Sequence, residues 1–328
     1  MSFLPFFCAC RTALAIGALL VAQTGAFAAR PARAADAPAV IRIETSDYDL
    51  SAEPSYGVAA GIFARHGISL EIQSAIEGGA NMVRDVAAGK ADVGFSNLIS
   101  IAGAIQAGAP IILIAPAGLY DRKSPPNAIV VAPNSAIKTA KDLNGKNISS
   151  PSGPGSAGAL APAAWIDQHG GDSKTVHFVT GIKPADLPAA LASGAVAAGE
   201  VGDPQLTMLL QLGAVRTFAA PFDAEGDHYL LAGFVASRAW VSANPDVAHR
   251  FVAAMTETAH WANTHRAETG TILAAHLKLT PPVMAAMSRT LYAETLTPET
   301  IAPPLATAVK YGVIKPMTAD ELLAASAF

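Results

Sequence analysis

Ala88-Gly89-Lys90-Ala91-Asp92-Val93-Gly94 has an echo further along the chain, Ser193-Gly194-Ala195-Val196-Ala197-Ala198-Gly199. Each copy reads as a helix end, a glycine, then a short strand leading into a polar loop. Short matches come easily in an alanine-rich chain, so the echo draws its weight from the segments on either side. Ahead of the first copy, Val40 to Thr45 reads as a strand and Ser55 to His66 as a helix. Gly67 closes that helix, at the position where a left-handed residue ends helices. Ile68 to Ile72 is a second strand, and Gly78-Gly79 opens a helix running to about Ala88. Asp92 to Phe95 is a strand, Leu98 to Ala107 a helix and Ile111 to Ala117 a strongly apolar strand.

A loop rich in proline and charge, Asp121 to Asn127, interrupts the pattern, which restarts at Ala128 to Ala132. Strands follow at Asn147 to Ser149, Val176 to Val179, Val196 to Glu200 and Val215 to Ala219. The helices Ser156 to His169, Ala185 to Ser193 and Pro204 to Leu212 fall between them. Such alternation predicts an α/β architecture, with parallel or mixed sheets covered on both faces. The restart and the echo together predict two similar lobes. Beyond Tyr229 to Val235 the chain turns helical, and Asp246 to Thr264 carries Val247, Phe251 and Met255 as a core stripe.

The first 35 residues read as an export signal. Arg11 supplies a basic start, Thr12 to Ala22 an apolar run, and Ala26-Phe27-Ala28 and Ala32-Arg33-Ala34 small-residue cleavage patterns. The apolar run is shorter than the ~20 residues a membrane-spanning helix needs. Both cysteines, Cys8 and Cys10, lie in that segment, so the mature chain would hold no thiol and no disulfide. Taking the three arginines of the signal from a net charge of −4 leaves −7. An acidic chain of this kind has no electrostatic reason to seek nucleic acid. The expectation is a periplasmic, monomeric protein of roughly two ordinary domains.

In open α/β sheets ligands bind beyond the carboxyl ends of the strands, where helix N-termini offer free N–H groups and partial positive charge. Four loops qualify: Ser46 to Asp49, Ser96-Asn97, Ser150 to Gly158, and Asp203-Pro204. The third contains Gly153, Gly155 and Gly158 in a G-x-G-x-x-G spacing. No acid follows at the distance a dinucleotide ribose requires, since that strand reads Val176-His177-Phe178-Val179, and no Lys-Ser or Lys-Thr makes a P-loop. The alternatives there are backbone N–H groups offered to a ligand, with Ser152, Gly155 and Ser156 in contact, or a plain helix cap. Ser96 and Asn97 face the same choice before the helix at Leu98. His260 and His265, five apart, fall on different helix faces, and no H-E-x-x-H or G-x-S-x-G occurs, so no metal, cofactor or catalytic triad is expected.

Several motifs then appear in a characteristic order: Gly61-Ile62-Phe63-Ala64-Arg65-His66-Gly67-Ile68, Gly78-Gly79-Ala80, Ala88 to Gly94, Ile137 to Lys146, and Asn244-Pro245-Asp246 before a helix containing Trp261. In this the chain resembles the nitrate/sulfonate/taurine/thiamine-precursor family of ABC-transporter substrate-binding proteins. The resemblance implies a type II periplasmic-binding fold, two α/β lobes joined by a two-strand hinge, with the solute between them. Lobe I is then residues 36–130 plus 231–328, lobe II residues 131–230, and Ala128 to Ala132 and Leu230 to Ala236 the hinge crossings. It implies a small-molecule solute and an ABC permease as partners, with Tyr48, Asp49, Ser96, Asn97, Ser152, Gly155, Ser156 and Asp203 as ligand contacts. The same resemblance leaves open an enzyme on this fold, of thiamine-pyrimidine or menaquinone-precursor type, or a periplasmic sensor. Asp203-Pro204 stands where many relatives carry Glu-Pro, and Ala197 where they often carry Asp, which unsettles the fourth loop.

Overall fold

Short runs of valine, isoleucine, leucine and alanine become strands because side chains on a pleated sheet pack against neighbours on both faces. In chain order the strands are β1 (Ala39–Thr45), β2 (Ile68–Ser74), β3 (Val93–Asn97), β4 (Ile111–Pro116), β5 (Gly118–Asp121), β6 (Asn127–Val131), β7 (Asn147–Ser149), β8 (His177–Val179), β9 (Ala198–Gly202), β10 (Arg216–Ala219), β11 (His228–Leu230), β12 (Ala232–Ser237) and β13 (Leu291–Tyr292). The structure, a computed structural model, describes residues 37–74, 79–151 and 157–328. Among these residues the strands form three sheets.

The two larger sheets repeat one pattern. The first runs β2-β1-β3-β12-β4, with β1 parallel to β2 and β3, and β12 antiparallel to β3 and β4. The second runs β8-β7-β9-β6-β10, with β7 parallel to β8 and β9, and β6 antiparallel to β9 and β10. β3 and β9 hold the same place, and the sequence echo leads into these two strands. Gly89 (φ 73°) and Gly194 (φ 76°) both take the left-handed conformation that ends the preceding helix. Gly94 and Gly199 both let that helix approach the strand. A Cβ on Gly94 would stand 2.9 Å from Val86 Cγ2, and one on Gly199 2.7 Å from Leu187 Cδ1.

The third sheet, β11-β5-β13, carries both crossings between the larger two. β5 pairs antiparallel with β11, from Leu119 opposite Leu230 to Asp121 opposite His228. This corrects the hinge expected at Ala128 to Ala132 and Leu230 to Ala236. Those segments are β6, inside the second sheet, and, from Ala232 onward, β12, between β3 and β4 in the first. Their apolar character reflects burial between two neighbouring strands. The true crossings are short and are held by aromatic contact, with Tyr120 and Tyr229 ring centroids 5.0 Å apart. β13 adds a third strand from the C-terminal part of the chain, Leu291 opposite Leu119.

Around the first sheet the core is built from large side chains: Ile41, Ile43, Phe63, Met82, Phe95, Phe234 and Phe251. Phe63 and Phe251 stack with centroids 6.0 Å apart, fixing the helix Pro245–Thr264 on this sheet. The second sheet is covered by smaller aliphatics, Val130, Leu187, Val201 and Leu206 on one face and Ile129, Val131, Ile148 and Ile166 on the other. The helix expected from Ser55 to His66 is two pieces, Glu53–Ala59 and Ile62–Arg65, because Gly61 takes a φ of 69° between them.

Candidate functional site

Register fixes which edge of each sheet faces the connection. Asn97, the last residue of β3, pairs with Ala232, the first of β12, which enters from the crossing. Gly202, the last of β9, pairs with Asn127, the first of β6, which also enters from the crossing. The carboxyl ends of the parallel strands in both sheets therefore meet at the same level, where ligands bind in open α/β folds.

Hydroxyl groups collect at this level. Thr45 closes β1, Ser96 is next to last in β3, Ser149 ends β7 and Ser150 follows it; all four are buried. Ser96 is fully buried, and its Oγ has no hydrogen-bond partner among the described residues. It lies against the first residue of the helix Gly79–Ala87, where a Cβ on Gly79 would stand 2.5 Å from Ser96 Oγ. A buried hydroxyl without a partner costs about 1–3 kcal/mol, and the first turn of a helix carries free donors and positive potential. Together they form a pole suited to a small anion. Asn97 is a helix cap: its Oδ1 accepts from Ser100 N at 2.8 Å.

Tyr48 is half exposed, on a loop tied beneath it by Ser51, whose Oγ donates to Ser46 O at 2.5 Å. Asp49 turns the other way. Its Oδ1 accepts from Tyr56 OH at 2.7 Å, and its Oδ2 from Arg289 Nε and Thr290 N, both at 2.8 Å. The hydroxyl of Tyr292 donates to Asp49 as well. Instead of reaching for a ligand, the Asp49 carboxylate anchors the C-terminal segment to the loop after β1. The adjacent residues differ because Tyr48 is extended, at φ −134° and ψ 154°, while Asp49 is the first residue of the turn Asp49–Ser51.

Asp203 is also committed to the protein. Oδ1 accepts from Thr207 N (3.0 Å) and Thr207 Oγ1 (2.7 Å), and Oδ2 from Ser288 N (2.8 Å). Burial lifts its carboxyl above the usual aspartate range; the bonds from Thr207 and Ser288 oppose the lift, and the charge of Asp49 adds to it. Ser152, Gly155 and Ser156 lie outside the described residues. Among the expected contacts, Asp203 lines a cavity of about 300 Å³ at the root of the connection, with Lys123, Asn127, Thr207, Thr217 and Ser288. Its lining is mixed, with Pro125, Ala128, Leu206 and Leu210 beside the polar groups, and neither Tyr48 nor Ser96 borders it.

One residue of this level escaped the sequence reading. Glu200, on β9, is buried; Asn127 Nδ2 donates to its Oε1 at 2.8 Å, and its Oε2 has no partner among the described residues. Burial pushes its carboxyl up to about 7, against the smaller opposing effect of Asn127. Its signal lay in the echo: two glycines of equivalent place, Gly94 and Gly199, are followed by Phe95 in one copy and an acid in the other.

A family model described as "NMT1/THI5 like" matches residues 56–269. The chain belongs to that family. The chain is also similar to a putative aliphatic sulfonates-binding protein of Escherichia coli strain K12, 29% identical over 227 residues, which are 69% of this chain and 66% of that protein. The aligned part thus spans about two-thirds of that relative's length. Among solved structures, the periplasmic aliphatic sulphonate binding protein of E. coli superposes with a TM-score of 0.68 at 21% identity, covering 87% of this chain and 91% of the other. The alkanesulfonate-binding protein of Xanthomonas axonopodis pv. citri, bound to MOPS, gives 0.68 at 20% identity, covering 88% and 98%. The fold of this NMT1/THI5-like chain is accordingly the two-lobed periplasmic-binding fold that the sequence motifs implied.

Proposed function

We propose that the chain is a periplasmic solute receptor of an ABC importer, that it binds a small organic anion of the sulfonate class, and that it carries out no chemistry. The observation that carries this reading is the unpartnered, fully buried Ser96 hydroxyl against the first turn of the helix Gly79–Ala87. Hydroxyl and N–H donors hold a tetrahedral oxyanion without a lysine, since the helix terminus supplies the positive potential. Family membership and the sulfonate-binding relatives support the same class. In this reading residues 1–35 are an export signal. The second lobe runs from the loop before Asn127 to about His228, and the remainder forms the first. Tyr48, half exposed on its loop, covers the organic part of the solute.

Isothermal titration with ethanesulfonate, nitrate, benzoate and a pyrimidine tests the class. Ethanesulfonate is expected to bind and the pyrimidine not to. Ser96→Ala should weaken ethanesulfonate roughly 5- to 150-fold, since a buried hydrogen-bond partner is worth about 1–3 kcal/mol. Equal affinity in wild type and Ser96→Ala would move the site away from this pole.

A further inference from the structure

Three consecutive residues of the C-terminal part of the chain bind both sides of the connection. Ser288 N donates to Asp203 Oδ2, beyond β9 of the second sheet, and Ser288 Oγ donates to Pro125 O in the hinge loop at 3.0 Å. Arg289 Nε and Thr290 N donate to Asp49 Oδ2, beyond β1 of the first sheet. Arg289 and Asp49 are 12% and 5% exposed at their side chains, so this ion pair is shielded from solvent. The segment runs directly into β13, which pairs with crossing strand β5. It packs so tightly there that a Cβ on Gly118 would stand 2.2 Å from Leu50 and 2.5 Å from Thr290. A second tether lies nearby, where Gln211 Nε2 donates to Pro282 O at 3.0 Å.

We propose that Ser288, Arg289 and Thr290 are positioning residues of the solute cleft, a clasp that sets the distance between the loop after β1 and the loop after β9. The two halves of the clasp differ in kind. Asp49 is enclosed by Tyr56, Tyr292 and Arg289, so the segment is fastened permanently to the first sheet. On the other side the main link is a charge-assisted bond from Ser288 N to a carboxylate that moves with the second sheet. When the second lobe swings on β5 and β11, the Asp203–Ser288 bond must lengthen or break, together with the exposed, uncharged Gln211–Pro282 bond. Solute affinity then depends on residues that do not touch the solute, because closing a cleft is favoured by whatever holds the closed state. The inference uses the solute-binding reading for its consequence alone; the clasp itself is a property of the free protein.

The test uses the full chain without solute. Asp203→Asn keeps an oxygen for Thr207 and turns an amide toward Ser288 N, which cannot donate to it. Thr207→Val removes a hydroxyl from the same carboxylate and leaves the Ser288 bond. Small-angle scattering should give Asp203→Asn a larger radius of gyration than wild type, with Thr207→Val unchanged. Hydrogen exchange across residues 286–290 should speed up about tenfold in Asp203→Asn, the loss expected for one charge-assisted bond, while the strands keep their protection. With ethanesulfonate as probe, Asp203→Asn should raise the dissociation rate and leave association unchanged, a split that a general loss of stability would not give. Scattering and exchange identical to wild type overturn the clasp. Failure of both proteins to bind ethanesulfonate overturns the sulfonate reading and leaves scattering and exchange to decide the clasp.

Discussion

At equivalent places in the two large sheets stand Phe95 and Glu200, each one residue after the strand glycine of the echo. In the first sheet Phe95 meets Phe234 of β12 edge to face, centroids 5.8 Å apart, opposite it in register. In the second, Glu200 lies opposite Ile129 of β6 and takes its hydrogen bond from Asn127. One backbone plan therefore supports an aromatic core at one place and a buried acid at the other. An aromatic pair stabilises by area and edge-to-face geometry; a buried acid costs free energy unless every oxygen is matched. The difference teaches that at this one place the first sheet is held by apolar area and the second carries a titratable group at a cost.

Removing the aromatic pair is the most severe way to test that contrast. Phe234→Ala should lower stability by about 3–5 kcal/mol in denaturant unfolding, because the cavity forms in a fully buried core. A cost below about 1 kcal/mol would abolish the distinction between the sheets. Next in size is the pH dependence of Glu200. Its carboxyl sits at about 7 in the fold against 4.5 in the open chain, so the native state keeps a proton that the unfolded chain releases. Its stabilising effect is complete below about pH 4.5 and disappears as pH rises to 7, an effect of about 2–3 kcal/mol. Burial raises Glu225 to about 8 and lifts Glu53 in the same direction, so both steepen the decline. Thermal melts between pH 5 and 7.5 should be flatter for Glu200→Gln than for wild type; parallel curves would remove Glu200 from the account.

The two strand glycines give a finer comparison. Gly199→Ala forces a methyl onto the branched end of Leu187, and Gly94→Ala onto Val86 with the Met82 carbonyl at 3.3 Å. Each should cost about 1–3 kcal/mol by overpacking. Gly94→Ala should cost more, since backbone yields less readily than a leucine side chain. Chemical denaturation of both variants decides the order. The smallest effect belongs to the Asn97 cap, where Asn97→Ala should remove about 1 kcal/mol and lower the melting temperature slightly.

Most of the fold was legible in the chain. Period and punctuation placed β3, β7 and β9 within a residue or two, and the echo marked two strands that proved topologically equivalent. The crossings were hidden because Gly118-Leu119-Tyr120-Asp121 and His228-Tyr229-Leu230 are too short and too polar to show a period. The strand ends that frame the candidate site were legible in the chain; which way their side chains turn was not. Ser96 is next to last in β3 and Tyr48 lies three residues beyond β1, yet local spacing could not show that Asp49 would turn toward Arg289, 240 residues later. Asp203 likewise found its partner in Ser288, 85 residues on. Charged loop residues read as ligand contacts until a distant segment is seen to satisfy them.

The place of β12 between β3 and β4 also orders events in time. Strands of the second sheet run uninterrupted from Asn127 to Ala219, whereas the first sheet lacks β12, the strand that joins β3 to β4, until Ser237. A nascent chain can thus complete the later lobe while β3 and β4 still present open edges, and pairings across so long an intervening stretch form slowly. Pulse-labelled refolding should find amides of β6 and β9 protected before those of β3 and β4, so that the half of the molecule begun first is the last to be finished.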